Sequence, residues 1–134
     1  MKYTTTLLTL NSPNHNDRIY PSEVIEKAIE KSRKDMEERR LFVTSHLSLE
    51  RSEVNLEDAV GMITDIKIEG DNLIGEAEFS PVLLSKHFPI HLPSFESQFN
   101  KTLFLRPSGM GTVKDGLIGD DYIINHFFLT NDPA

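Results

Sequence analysis

The chain has 134 residues, 38% hydrophobic and 26% charged, a balance too apolar for a disordered polypeptide and suited to a single soluble domain over residues 1–134. Fourteen Lys and Arg against 21 Asp and Glu leave a formal net charge of −7, which opposes a phosphate backbone, so nucleic acid is not an expected partner. Without cysteine there are no disulfides or thiolate metal sites, and no apolar run reaches the roughly 18 residues that a membrane span needs.

Residues 2–10, rich in Thr, Leu and Tyr with no helix-start signal, read as a first strand, and the Asn, Ser, Pro and Asp of residues 11–17 as a loop. Pro21 suits the first turn of a helix, where its missing N–H costs nothing. Val24, Ile25, Ala28, Ile29, Ser32 and Met36 then recur at helical spacing, which predicts the main helix over about residues 21–38. Glu23 and Glu26 stand early in it and Arg39 and Arg40 at its end, the order the helix dipole favours. The basic cluster Arg33, Lys34, Arg39 and Arg40 is interleaved with Asp35, Glu37 and Glu38 and reads as a solvated helix face.

A short strand over residues 41–45 leads into a polar loop, whose Glu50 and Glu53, with Glu57 and Asp58 beyond, read as surface charge. Residues 60–69 and 73–79 predict a hairpin that turns at Gly70-Asp71-Asn72. Pro81, Pro89 and Pro93 exclude a long helix from residues 81–100 and leave short helical turns. His87 and His91 stand four apart, the spacing of a zinc pair on a helix, but Pro89 lies between them and no Glu adjoins His87, so neither metal nor cofactor is expected. The β pattern returns over residues 101–113, Lys114-Asp115-Gly116 reads as a second hairpin turn, and residues 122–129 as the last strand. The resulting fold class is α+β: a small antiparallel, barrel-like or strongly bent sheet with one main helix and short helical turns.

In order along the chain come Arg18-Ile19-Tyr20-Pro21 after an Asn-rich loop, Val24-Ile25-Glu26-Lys27-Ala28, His46 in Val43-Thr44-Ser45-His46-Leu47, Gly75-Glu76-Ala77-Glu78, and Arg106-Pro107-Ser108-Gly109-Met110-Gly111. This succession resembles the prohead core protease family of tailed phages, whose fold is similar to that of the herpesvirus assemblins. The resemblance implies cleavage of scaffold and capsid proteins inside an immature head, by a serine, a histidine and a third group that orients the imidazole. It implies capsid or scaffold proteins as partners and a location in the host cytoplasm, in procapsid or virion. A homo-oligomer stays open.

His46 matches the family's histidine, although its neighbours differ from the family's Gly-Glu-Leu-Asx-His-Pro pattern. The family's Ser-Ser-Arg-Gly-x-Gly element superposes on Gly109 and Gly111 without a gap, and its serine pair then falls on Arg106 and Pro107. The acidic residue of the family's last strand falls near Phe128, while Asp132-Pro133-Ala134 resembles its closing element.

Two readings follow. In one, the fold is kept without its nucleophile, and the protein is a structural or interaction component of head assembly whose Arg106 binds a partner's carboxylate. In the other, Ser108 is the nucleophile of an active serine endopeptidase, with His46 as base, His126 as third member, and backbone N–H groups about Gly109 and Gly111 as oxyanion donors. The plainer alternatives are a turn or bulge at Pro107-Ser108-Gly109, a surface His46, an exposed Arg106, and a buried His126 that needs a polar partner.

Overall fold

A computed structural model describes residues 2–14, 17–44, 59–87, 97, 99, 101 and 103–130. Its elements in chain order are β1 (Lys2–Thr9), α1 (Ser22–Glu37), β2 (Phe42–Thr44), β3 (Ala59–Glu69), β4 (Asn72–Phe79), α2 (Pro81–His87), β5 (Phe104–Met110), β6 (Val113–Lys114), β7 (Leu117–Ile118) and β8 (Ile123–Thr130).

The expected hairpin is β3–β4, paired antiparallel from Glu69↔Asn72 to Gly61↔Phe79. Its turn is tighter than the sequence suggested: Gly70, at φ 60°, and Asp71 make it alone, and Asn72 is already paired. The main helix also falls where periodicity put it, burying Val24, Ile25, Ala28, Ile29 and Ser32. Pro21 stands just outside that helix, because its ψ of 141° is extended rather than helical. The Pro21 carbonyl accepts the Val24 and Ile25 N–H groups, each at 3.1 Å, but Pro21 has no side-chain acceptor for the earlier ones. Asn11 satisfies one of them in its place. Its Oδ1 accepts the Ser22 N–H at 2.9 Å, and its Nδ2 donates to Ser22 Oγ at 2.6 Å and to Asp71 Oδ1 at 3.1 Å. One asparagine, in the left-handed region at φ 64° that its type tolerates, thus joins the end of β1, the start of α1 and the β3–β4 turn.

Six strands form one sheet in the order β1-β4-β3-β2-β8-β5, antiparallel except for the parallel pair β2–β8. The edge strands β1 and β5 come into contact without being hydrogen-bonded neighbours, so the sheet curls into a half-barrel. Helix α1 lies against β3 and β8. The core cluster includes Ile25, Val43, Ile63, Leu73, Leu105 and Phe127. At its rim the rings of Tyr3, Phe79 and Phe99 pack with centroids 4.7 to 5.8 Å apart.

The strand expected over residues 101–113 is divided. β5 ends at Met110, and Val113 and Lys114 belong instead to the separate β6–β7 hairpin, which turns through Asp115 at φ 53° and Gly116 at φ 81°. The break has a local cause. Thr112 donates its N–H to Asp121 Oδ1 at 2.9 Å and its hydroxyl to Asp121 Oδ2 at 2.6 Å, and accepts the Gly119 N–H at 2.8 Å, which folds the chain back on itself before it can extend the ladder.

Candidate functional site

The Arg18-Ile19-Tyr20 segment is bound to the β6–β7 hairpin. The Ile19 N–H donates to Gly116 O at 2.7 Å, and the Ile118 N–H donates to Ile19 O at 3.0 Å. Asn14 closes the preceding loop, its Oδ1 accepting the Arg18 N–H at 3.0 Å while its own N–H donates to Arg18 O at 2.9 Å. These bonds set Arg18 and Tyr20 on one side of a pocket of about 360 Å³ whose other side is Arg106, Pro107 and Ser108 of β5. Tyr122 and Phe128 also line it, and Val113 and Ile118 of the small hairpin wall it at the end of β5. Two motifs about two thirds of the chain apart in sequence meet in this one cavity.

Tyr122 explains the Gly109-Met110-Gly111 spacing. A Cβ on Gly109 would run into the Tyr122 hydroxyl and lie 2.6 Å from Ile123 O, and one on Gly111 would lie 2.9 Å from Tyr122 Cα. The glycines are needed for close approach, so that the buried tyrosine can lie against β5. Burial, with a smaller contribution from Tyr20, pushes the Tyr122 hydroxyl well above its ordinary pKa and keeps it protonated. Its ring meets Tyr20 edge-on at 5.7 Å, and its carbonyl accepts Lys31 Nζ at 3.3 Å, which links the pocket floor to α1. Lys31 also bonds Asp120 O at 3.2 Å, and Lys27 pairs with the Asp120 carboxylate at 3.3 Å.

The β5–β8 register sets Arg106 opposite Phe128 and Ser108 directly opposite His126. Leu105, Phe127 and Leu129 belong to the core cluster, while Arg106, Ser108 and Phe128 line the pocket together with Pro107, which stands opposite Phe127. Simple alternation would put Ile124 with His126 and Phe128. The register jumps from Ser108↔His126 to Gly109↔Ile124, a bulge, and Ile124, His126 and Phe128 are all buried. His126 is fully buried, with its ring centroid 6.5 Å from that of Phe128.

Of the residues singled out in the sequence, the structure brings together Arg106, Ser108, Gly109 and Gly111 at the pocket, with His126 across the ladder from Ser108. His46 lies outside the described residues, as do His91 and Asp132. His87 ends α2. The described residues contain no group of three or more His, Cys, Asp or Glu that could hold a metal, and no helix among them is long and apolar enough to cross a membrane. Arg33 pairs with Glu30 at 3.2 Å, and Arg40 pairs with Asp35 and Glu38. Sequence reasoning missed Tyr122 and the approach of Arg18. The paired glycines in a strand were the available signal, since they mark a site where a large side chain comes close.

A curled sheet with one long helix, and a pocket between an Arg-x-Tyr-Pro loop and a glycine-bearing strand, define a prohead-protease-like fold. Among solved structures the chain is similar to the capsid assembly protease of bacteriophage T4, with a TM-score of 0.78 and 16% identity over 95% of this chain and 80% of that chain. No protein-family model and no curated protein matches the sequence.

Proposed function

We propose that this chain acts in the assembly of a tailed-phage head as a single domain over residues 1–134 that binds capsid or scaffold proteins without cutting them. Its locale in this reading is the host cytoplasm, in procapsid or virion. The observation that carries the reading is the locked register of β5. In the ungapped match to the family's motif its serine pair falls on Arg106 and Pro107, and Gly109 and Gly111 after them lie against Tyr122. Sliding the strand by two residues, roughly 7 Å, to bring Ser108 there would carry Val113 toward the position of Gly111. A Cβ at Gly111 would already lie 2.9 Å from Tyr122 Cα, so a valine has no room.

The test is co-expression with the capsid and scaffold proteins of the same phage, followed by purification of procapsids. The expected result is that the chain sediments with heads whose proteins keep their full mass by mass spectrometry. Capsid or scaffold cleavage that requires this chain would overturn the non-catalytic reading.

One observation favours a second reading. Ser108 and His126 are direct cross-strand partners, a serine and an imidazole at one position of the ladder. In that reading the chain is a serine endopeptidase with Ser108 as nucleophile, His46 as base and His126 as third member. Ser108→Ala then lowers cleavage by at least about 100-fold. An unchanged cleavage pattern in Ser108→Ala removes this reading.

A further inference from the structure

Tyr122 is 4% exposed, and its ring lies along β5 rather than across it. At Gly111 the atoms nearest an added Cβ are Tyr122 Cα, Cβ and Cδ2, and at Gly109 they include Tyr122 Cζ and its hydroxyl oxygen. The phenol axis therefore runs from Gly111 back toward Gly109. It carries the hydroxyl in the direction of Ser108, at the pocket that Tyr122, Ser108 and Gly109 line together. The residue is held on both sides of its Cα: its N–H donates to Gly119 O at 3.1 Å, and its carbonyl accepts Lys31 Nζ at 3.3 Å. The hydroxyl itself makes no hydrogen bond among the described residues. A buried donor left without an acceptor carries a desolvation cost that a bound acceptor removes.

We propose that the Tyr122 hydroxyl donates a hydrogen bond to a main-chain carbonyl of a partner segment seated in this pocket. The inference rests on the binding reading of the same site and names a bond by which the site holds its partner. Burial keeps the phenol protonated, so it is a neutral donor. A neutral carbonyl meets it without bringing a charge into a desolvated spot. An extended chain presents one carbonyl per residue at a spacing of roughly 3.3 Å, so the acceptor is supplied by the backbone and not by a particular side chain. Because the tyrosine is already fixed against β5, little rotamer freedom is lost when the bond forms.

The experiment observes the full chain by NMR, isotope-labelled at tyrosine Cζ. Its three tyrosines give three Cζ signals, and the one missing from Tyr122→Phe belongs to Tyr122. The neutral probe N-acetyl-Ala-Ala-Ala-amide is expected to move that signal in a saturable way at concentrations up to about 10 mM, and sodium acetate is not. In co-expression with the capsid and scaffold proteins, Tyr122→Phe is expected to lower the amount of chain per procapsid at least about 5-fold. Its melting temperature should stay at or above the parent's, because the lost hydroxyl gave up no internal bond. A Tyr122 signal that the peptide does not move, or that acetate moves at lower concentration, overturns the proposal. So does a Tyr122→Phe chain retained in heads at the parental level, or one that melts below the parent, since the hydroxyl would then serve the fold. The two readings fail separately. A parent chain absent from heads whose Tyr122 signal still follows the peptide removes head assembly alone, and a parent chain present in heads with an unmoved signal removes the bond alone.

Discussion

The pairs β3–β4 and β5–β8 are both long antiparallel ladders with one register shift each, yet they are built on opposite principles. β3–β4 closes through Gly70 and Asp71, so its register follows from neighbours in sequence. Between β5 and β8 the chain makes a separate hairpin, and the register there is fixed by Tyr122 against Gly109 and Gly111. Local closure leaves no segment between the strands to build a wall from. Non-local closure leaves a cavity, because the hairpin that intervenes must fold away from the sheet.

That contrast can be broken at four points, taken from the largest expected effect downward. Phe127→Ala should cost about 3–5 kcal/mol in denaturant unfolding, because the ring is wholly buried in the core that both ladders share. Gly109→Ala should cost about 1–3 kcal/mol through collision with Tyr122 and Ile123 O, and should also weaken whatever binds the adjacent pocket. Gly70→Ala should cost about 1 kcal/mol, since its φ of 60° disfavours a Cβ although nothing lies within 4 Å of where that Cβ would stand. If Gly70→Ala proves the more damaging of the two glycine changes, the close-approach account of Gly109 fails.

The smallest effect is at Asp121. The Thr112 hydroxyl, and then the Thr112 N–H, hold its carboxyl below the usual carboxylate range. Its pKa is lowered in the folded state, so the stability it lends is fully present above the unfolded value, near 4, and is lost as pH falls through the lowered folded value. Asp121→Asn should flatten that part of the acid limb of a stability-against-pH curve, by a small amount because the group is exposed. An acid limb identical in Asp121→Asn and the parent would show that the Thr112 contacts do not set it.

Much of the fold was legible because its signals are local. The 3.6-residue recurrence of Val24, Ile25, Ala28, Ile29 and Ser32 gave α1, and Gly70-Asp71 between alternating runs gave β3–β4. Pro21 misled by one position, since nothing near it in sequence indicates that Asn11 supplies the cap. The strand over residues 101–113 misled by more, because the Thr112–Asp121 bonds that end it span nine residues. The bulge between His126 and Ile124 was hidden for a related reason: it answers to the pairing with β5, not to the sequence of β8.

By itself, then, the sequence determined the class of fold, the main helix, the first hairpin and the residue types that a site would draw on, because periodicity and turn chemistry act over a few residues. Only the tertiary structure decided that Arg18 and Arg106 share one cavity, that Ser108 faces His126, and that Tyr122 fixes where the glycines lie. Those relations depend on strand register and on a loop bound to a distant hairpin, and pairing energies between segments that are not neighbours in sequence leave no periodic trace in the chain that carries them.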